Sequence, residues 1–443
     1  MSAARNPRRP RWGIPTEVGG GWFLAYDALV AVAGGAVKLA APFNRKLRIS
    51  LKGRKGGVSR WRIAPFDERP ALLIHVASRG EYESVCPLVN RLIAEGTCRI
   101  ALSFSSPSVE GAVMKRDDLW ASGYLPLDYY GEQLRFLNRL EPDAILVSKH
   151  DFWPNMVRAA ATFGIPVILA NANFHSGSHR NWPLVGSFNR NFMRTIAAVW
   201  AVSEDDAARV KPLLSAKTEL LVLGDTRYDQ GLARANQGCE RFAELKEALG
   251  LGPVVVAGSS WPPEEKMIWP AFDALHKKAS AAKLLIAPHE LSEQSFQRNK
   301  IEADARGLAI RKYSEWTGGA IAEPVVYLDK MGLLAEIYAV GWAAIVGGGF
   351  GKGVHSVLEP AAHGLPVAFG PLHHMSHEAG LLLKEGGGFV IREAEELEQL
   401  LLGWANDPAS YQKAASAAAN VVLSRTGATK RVLDRLKPYL VTS

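Results

Sequence analysis

From residue 71 onward the chain alternates short, continuously apolar runs with longer stretches of helical periodicity, and this pattern is its strongest constraint on fold. In the first half the runs fall at 72–77, 99–104, 144–148, 166–170, 198–202 and 220–223. In the second half they fall at 254–257, 283–287, 308–311, 325–328, 343–346, 366–368 and 389–391. A strand exposed on one face alternates apolar and polar residues. These do not, so they are read as strands buried on both faces of a parallel sheet. Helical segments between successive strands make βαβ units and doubly wound α/β sheets. The 443 residues suffice for two such domains with ordinary cores. The break falls near 225–252, where Gly231, Gly238, Gly250 and Gly252 interrupt a polar helix. The boundaries expected are 1–62 for an N-terminal segment, 63–228 for one domain and 229–443 for the other, with a return of the last helix to the first domain as an alternative. Two facing α/β halves leave a cleft, and on such sheets ligands sit at the carboxyl ends of the strands.

Charge is concentrated at one end. Residues 1–70 hold 14 Lys and Arg against 4 Asp and Glu, a local net of +10, which leaves −2 on the remaining 373 residues. A nucleic-acid coat is therefore not expected; one anionic partner at the N-terminal end is. Between Trp22 and Phe43 only Asp27 and Lys38 are charged. Eleven residues apart, they fall on one face of a helix. The uninterrupted apolar run is read as too short to span a bilayer. A basic cluster follows, from Arg45 to Arg62. Apolar helix plus basic cluster suits a monotopic contact with an anionic leaflet, although a core helix followed by a basic loop would read the same. Three scattered cysteines, Cys86, Cys98 and Cys239, give neither a disulfide framework nor a zinc site, and point to a reducing compartment.

Four strand-end loops carry polar groups suited to chemistry. His75-Val-Ala-Ser-Arg-Gly-Glu81 places Glu81 in a first helical turn, where it either takes a proton from a hydroxyl nucleophile or simply complements the helix dipole. Lys149-His150-Asp151-Phe-Trp-Pro154 puts three ionisable groups at a strand end, with Asp151 resembling a helix N-cap. Ala257-Gly258-Ser259-Ser260 precedes a helix whose free N–H groups suit a phosphate, with an ordinary serine cap as the alternative. Gly347-Gly-Gly349-Phe-Gly351-Lys352-Gly353-Val-His355-Ser356-Val-Leu-Glu359-Pro360 has five glycines in seven residues. It fits neither the P-loop nor the dinucleotide fingerprint. A helix opening at Glu359-Pro360 would take a phosphate at its N-terminus and ribose hydroxyls on the carboxylate. Pro288-His289 ends a further strand. His373-His374 with His377 lacks a completing carboxylate, and no metal site is expected there.

Together with Gly53-Arg54, Leu125-Pro-Leu-Asp128, Val167-Ile-Leu-Ala-Asn-Ala172, Val202-Ser-Glu-Asp205, Gly224-Asp-Thr-Arg-Tyr-Asp229, Asp329-Lys-Met-Gly332 and Gly370-Pro371, these loops resemble the Kdo transferases, which attach 3-deoxy-D-manno-oct-2-ulosonic acid to lipid A precursor. The resemblance implies a GT-B glycosyltransferase with two Rossmann-like domains and a membrane-associated N-terminal helix on the cytoplasmic face of the bacterial inner membrane. It implies CMP-Kdo as donor, lipid IVA or a similar precursor as acceptor, and no metal or other cofactor. Glu81 becomes the general base, with Asp151 as a second catalytic acidic residue. The donor site becomes Arg227, Gly258, Ser259, Ser260, Pro288, His289, Gly349, Gly351, Lys352, Gly353, His355, Ser356 and Glu359. Many members carry Glu at the position of Lys149 or Asp151, and Arg at that of His289. Competing readings are a GT-B enzyme using a UDP-sugar, of the lipid disaccharide synthase or epimerase type, and a non-catalytic sugar-nucleotide or lipid binder.

Overall fold

The computed structural model describes residues 21–149, 151–174 and 183–440. The chain divides into two compact units, 1–227 with 427–443, and 228–426.

The first unit is built on eight strands: β1 (Arg62–Ile63), β2 (Ala71–Val76), β3 (Arg99–Phe104), β4 (Ala121–Tyr124), β5 (Ala144–Ser148), β6 (Val167–Ala172), β7 (Ala198–Ala201) and β8 (Glu219–Val222). Their order is β1-β4-β3-β2-β5-β6-β7-β8, parallel except for the two-residue edge strand β1. Alternate side chains of β2 enter opposite layers. Leu72, Ile74 and Val76 join one core and Leu73 the other, all fully buried. This is the two-faced burial that the unbroken apolar runs imply. Truncating any of these leucines to alanine would cost about 2–5 kcal/mol.

Strands β1 and β4 lie outside the expected set, because Ala-Ser-Gly-Tyr carries no apolar run. Its Gly123 is dictated by a neighbour: a Cβ there would sit 2.6 Å from the Trp61 ring, whose indole N–H donates to the Tyr124 carbonyl at 2.9 Å.

The N-terminal helix α1 (Gly21–Ala40) runs through a short 3₁₀ turn into α2 (Arg45–Arg54). The stretch Gly21–Phe43 is long and apolar enough to cross a membrane, so its length does not exclude a span as the apolar run suggested. Its contacts are more informative. Phe23, Tyr26, Asp27, Val30, Gly34, Val37 and Ala41, spaced by three or four residues, form the side turned inward. Phe23 enters the core. The Asp27 carboxylate accepts the Asn155 amide at 2.7 Å and pairs with Arg158 at 3.3 Å. At Gly34 a Cβ would overlap the Tyr129 hydroxyl. The opposite side, with Leu24, Leu29, Val32, Leu39 and Phe43, is exposed.

The second unit has seven strands: β9 (Val254–Ser260), β10 (Lys283–Pro288), β11 (Ile310–Lys312), β12 (Val325–Tyr327), β13 (Ala343–Val346), β14 (Val367–Phe369) and β15 (Gly388–Val390). All are parallel, in the order β11-β12-β10-β9-β13-β14-β15. The sheet again has two cores, with Val255 and Ala257 facing one and Val254 and Val256 the other. Each sheet reverses winding direction once, between β2 and β5 in the first unit and between β9 and β13 in the second. Ligand crevices of open α/β sheets form at these points.

Candidate active site

The first switch point holds a compact polar cluster. Strand β2 ends at Val76 and α3 (Arg79–Glu95) follows at once. Ser78 caps α3 by accepting the Glu81 N–H at 3.4 Å, while the Glu81 carboxylate accepts the Ala77 N–H at 2.5 Å. This reciprocal arrangement resembles a capping box and fixes the glutamate rotamer. Glu81 is only 8% exposed. Burial raises its pKa above the ordinary carboxylate value, and the Asp151 charge adds to that. The Ala77 N–H, Lys149 and His75 act in the opposite direction. Glu81 thus ties down the loop, and its burial holds the carboxyl above the ordinary carboxylate range.

Strand β5, on the other side of the switch point, delivers Lys149 and Asp151. Lys149 has a left-handed backbone, φ +60°, uncommon for a residue with a Cβ. Asp151 is not the helix cap expected from sequence. The cap position of α6 (Pro154–Thr162), following α4 (Pro107–Val113) and α5 (Tyr130–Leu140), belongs to Trp153, which makes no side-chain cap bond. The α6 N-terminus is satisfied by Asp128, which accepts the Asn155 and Met156 N–H groups, both at 3.0 Å. Relieved of capping, Asp151 meets His75 Nε2 at 3.3 Å. His75, fully buried on β2, bonds through Nδ1 to the Ser103 hydroxyl at 2.9 Å. Arg54 donates to the Leu125 and Ser105 carbonyls, each at 2.9 Å, and is within electrostatic range of Asp151. Sequence reasoning quoted His75 and Arg54 in motifs but gave neither a role. The partners that tie them to the rest of the unit, Ser103 and Asp151 for His75 and Leu125 and Ser105 for Arg54, are distant in the chain, so no local spacing marks them.

Arg227 lies at the start of the helix Thr226–Arg241. Its guanidinium Nε donates to Asp225 at 2.8 Å, and that carboxylate also accepts the Arg227 backbone N–H. The helix start is anchored by Asn171, which exchanges hydrogen bonds with Thr226 at 2.9 and 3.0 Å.

The second switch point gathers most of the remaining candidates. Gly258, Ser259 and Ser260 end β9, and Pro288 and His289 end β10 beside them, with the His289 N–H on the Ser260 carbonyl at 2.9 Å. Ser259 has φ +52°. Ser260 is buried and donates its hydroxyl to Glu265 at 3.2 Å, the same carboxylate that pairs with Arg298 at 2.7 Å. That hydroxyl is engaged within the fold. The glycine loop returns next to β9. Three of its glycines have steric reasons of their own: a Cβ at Gly347 would collide with the Ser259 carbonyl, one at Gly348 with the Gly353 carbonyl and one at Gly349 with Gly370. Their number therefore does not by itself require a ligand. Gly351 and Lys352 are exposed, as is Ser356. The helix expected at Glu359-Pro360 begins at Leu358 and is five residues long, too short to carry much dipole.

Glu264 organises this loop. It is almost fully buried, and its carboxylate accepts Gly348 N–H at 2.8 Å, Phe350 N–H at 3.3 Å and Trp261 N–H at 3.2 Å. The sequence showed it merely as the next acidic residue of a first helical turn. Above the loop three rings stack: Trp261 on His289, and His289 on His355, each pair 4.5 Å apart between centroids. The Trp261 indole donates to His355 Nε2 at 3.2 Å. Burial, then the neighbouring His289, lowers the His355 pKa, which favours the neutral ring that this bond requires. His373 and His374 lie against each other at 4.8 Å, and among the described residues no three metal-ligating side chains converge.

Residues 50–230 match the family model described as 3-deoxy-D-manno-octulosonic-acid transferase (kdotransferase). Proteins named 3-deoxy-D-manno-octulosonic acid transferase align over most of the chain. That of Bordetella pertussis is 28% identical, covering 92% of this chain and 94% of its own length. That of Aquifex aeolicus is 29% identical over 74% and 84%. The chain is similar to these transferases over most of its length. The matched region spans Arg54, the Glu81 loop and the Asp151 loop, so the polar cluster lies within the part that the Kdo transferase model covers. Among solved structures, a putative UDP-N-acetylglucosamine 2-epimerase from Listeria monocytogenes covers 84% of the chain at TM-score 0.58 and 13% identity. The UDP-GlcNAc 2-epimerase of Neisseria meningitidis covers 83% at 0.57 and 15%. At these identities the likeness is one of fold, and the fold is GT-B.

Proposed function

We propose that the protein transfers Kdo from CMP-Kdo to a lipid A precursor, lipid IVA, in lipopolysaccharide inner-core biosynthesis. The observation that carries this reading is the Glu81, Asp151 and His75 cluster at the first switch point of a chain similar to the Kdo transferases. Glu81 takes the proton of a sugar hydroxyl on the acceptor. The freed oxygen forms a bond to the anomeric carbon of Kdo, and the bond from that carbon to the phosphate oxygen breaks, its electron pair leaving with CMP. A carboxylate held in a buried site with raised pKa is a stronger base than one in water. Asp151 and Lys149 adjust its charge state, and His75 holds Asp151 in place.

The donor is assigned to the second switch point, where the loop organised by Glu264 and the Trp261–His289–His355 stack offer backbone N–H groups and flat ring faces. Lys352 or Arg227 would offset charge on the departing phosphate. Every group invoked is an amino-acid side chain or backbone amide, so no resident metal is assigned. The acceptor reaches the enzyme from the bilayer, and the exposed apolar side of α1 with the adjoining basic helix suits attachment to the anionic cytoplasmic face of the inner membrane. A UDP-sugar substrate is favoured by nothing beyond fold likeness.

The test is purified protein with CMP-Kdo and lipid IVA, the products weighed by mass spectrometry. Addition of one or more Kdo units is expected, falling about 10²–10⁴-fold in Glu81→Gln. Near-normal turnover in that variant would remove Glu81 from the mechanism. No mass gain with folded protein would remove this donor and acceptor pair.

A further inference from the structure

Beside α1 and α2 lies a recess of about 660 Å³ whose charge is unusual. Lys38 from α1 and Lys52 and Lys55 from the end of α2 line it, with Arg54, Arg135 and Glu132. Two of these cations are committed. Arg135 is paired with Glu132 at 2.6 Å, and Arg54 is held by main-chain carbonyls. The three lysines have no carboxylate partner among the described residues. Three uncompensated ammonium groups around one concavity repel one another, a cost that a bound anion relieves. Lysine is a compact charge suited to phosphate oxygens. The lining includes Gly56 and Gly57, at φ +93° and +55°, two successive residues without side chains.

The surroundings point to the source of the anion. Leu39, next to Lys38, and Phe43, which follows α1, are exposed, Phe43 to 93%. They continue the outer apolar side of α1 past Lys38, which lines the recess. A cationic recess beside an apolar surface suits a molecule with a phosphate at one end and acyl chains at the other.

We propose that this recess is a discrete binding site for the phosphate headgroup of one anionic phospholipid, with Lys38, Lys52 and Lys55 as its ligands. The site rests on the membrane-surface reading of α1 and sharpens it: attachment is saturable and headgroup-directed, in addition to diffuse charge attraction. Its lining includes none of Glu81, Asp151 and His75, so a phospholipid seated there orients the enzyme without occupying the site of transfer.

The test uses the full chain with two probes: vesicles of phosphatidylcholine with or without phosphatidylglycerol, and soluble dihexanoyl-phosphatidylglycerol. Lys52→Ala with Lys55→Ala is compared with Arg45→Ala with Lys46→Ala, which removes the same charge from exposed positions of α2 outside the recess. The expected result is single-site binding of the soluble lipid, lost in the recess pair and kept in the control pair. Phosphatidylglycerol-dependent vesicle affinity should fall roughly tenfold further in the recess pair. Lys52→Arg with Lys55→Arg should restore both, which separates the site from a folding defect. Equal losses in the two alanine pairs, or vesicle binding without soluble-lipid binding, would overturn the discrete site while leaving membrane attachment intact. No vesicle binding by the wild type would overturn the membrane reading itself. A raised KM for lipid IVA in neutral detergent, with phosphatidylglycerol binding unchanged, would assign the recess to the acceptor's phosphate instead.

Discussion

The Tyr26 hydroxyl donates to the Asp128 carboxylate at 2.8 Å, so the exposed apolar helix is fastened to the group that caps α6. The loop immediately preceding α6 carries Asp151. Attachment of α1 and placement of Asp151 thus share one buried carboxylate.

That carboxylate has an unusual titration. Burial, its largest influence, pushes the Asp128 pKa up to about 6 despite the Asn155, Met156 and Tyr26 donors. Because the folded value is raised, stability from this group is complete below the unfolded value of about 3.9 and is lost as pH rises through about 6. The loss across that window is about 3 kcal/mol. Urea melts between pH 4 and 7 should show wild type losing stability relative to Asp128→Asn as pH rises. Parallel pH slopes would refute the raised value.

The acidic limb of kcat/KM should follow Glu81. Lys149 favours the ionised carboxylate, so Lys149→Met should move that limb to higher pH, with the alkaline plateau less affected. A limb that stays in place would show that Lys149 does not act on the base.

Glu264→Ala would strip the acceptor from three N–H groups of the glycine loop and the adjoining turn. Unsatisfied buried donors cost about 1–3 kcal/mol each. The expected result is a KM for CMP-Kdo raised at least about tenfold, with a smaller change in the KM for acceptor. Equal changes in both would point to general unfolding.

Placing aspartates on the outer side of α1, as Leu29→Asp with Val32→Asp, should weaken vesicle binding without lowering thermal stability, since both residues are exposed. Phe23→Ala should do the reverse, costing about 3–5 kcal/mol of stability through the core. Dialysis against EDTA should leave Kdo transfer unchanged.

Much of this architecture was legible in the sequence because strands such as Ala144–Ser148 run apolar from Ala144 to Val147 and are bounded by helices. The strand Ala121–Tyr124 was not, since its residues are set by Trp61 packing against Gly123. At the sites, Glu81 was visible from its place after a strand. Asp151 was visible but misread as a cap, because the true capping group, Asp128, stands 27 and 28 residues before the N–H groups it accepts. Glu264 and His75 act through partners 84 and 76 positions away, and no local periodicity reports such pairings. The glycine loop misled in the other direction: its glycines answer backbone neighbours as much as any ligand.

The helix Ala428–Leu436 packs Val432, Leu433 and Leu436 into the same core as Leu72 and Ile74, and Arg431 donates to the Leu223 carbonyl at 2.9 Å. During synthesis, therefore, the first unit emerges from the ribosome with one wall of its core missing. It must wait for about two hundred residues of the second unit to be translated before that wall arrives. A fragment ending at Arg227 would expose this apolar surface and be prone to aggregation. The second unit, begun and finished without interruption, is the part that can complete its fold on emerging.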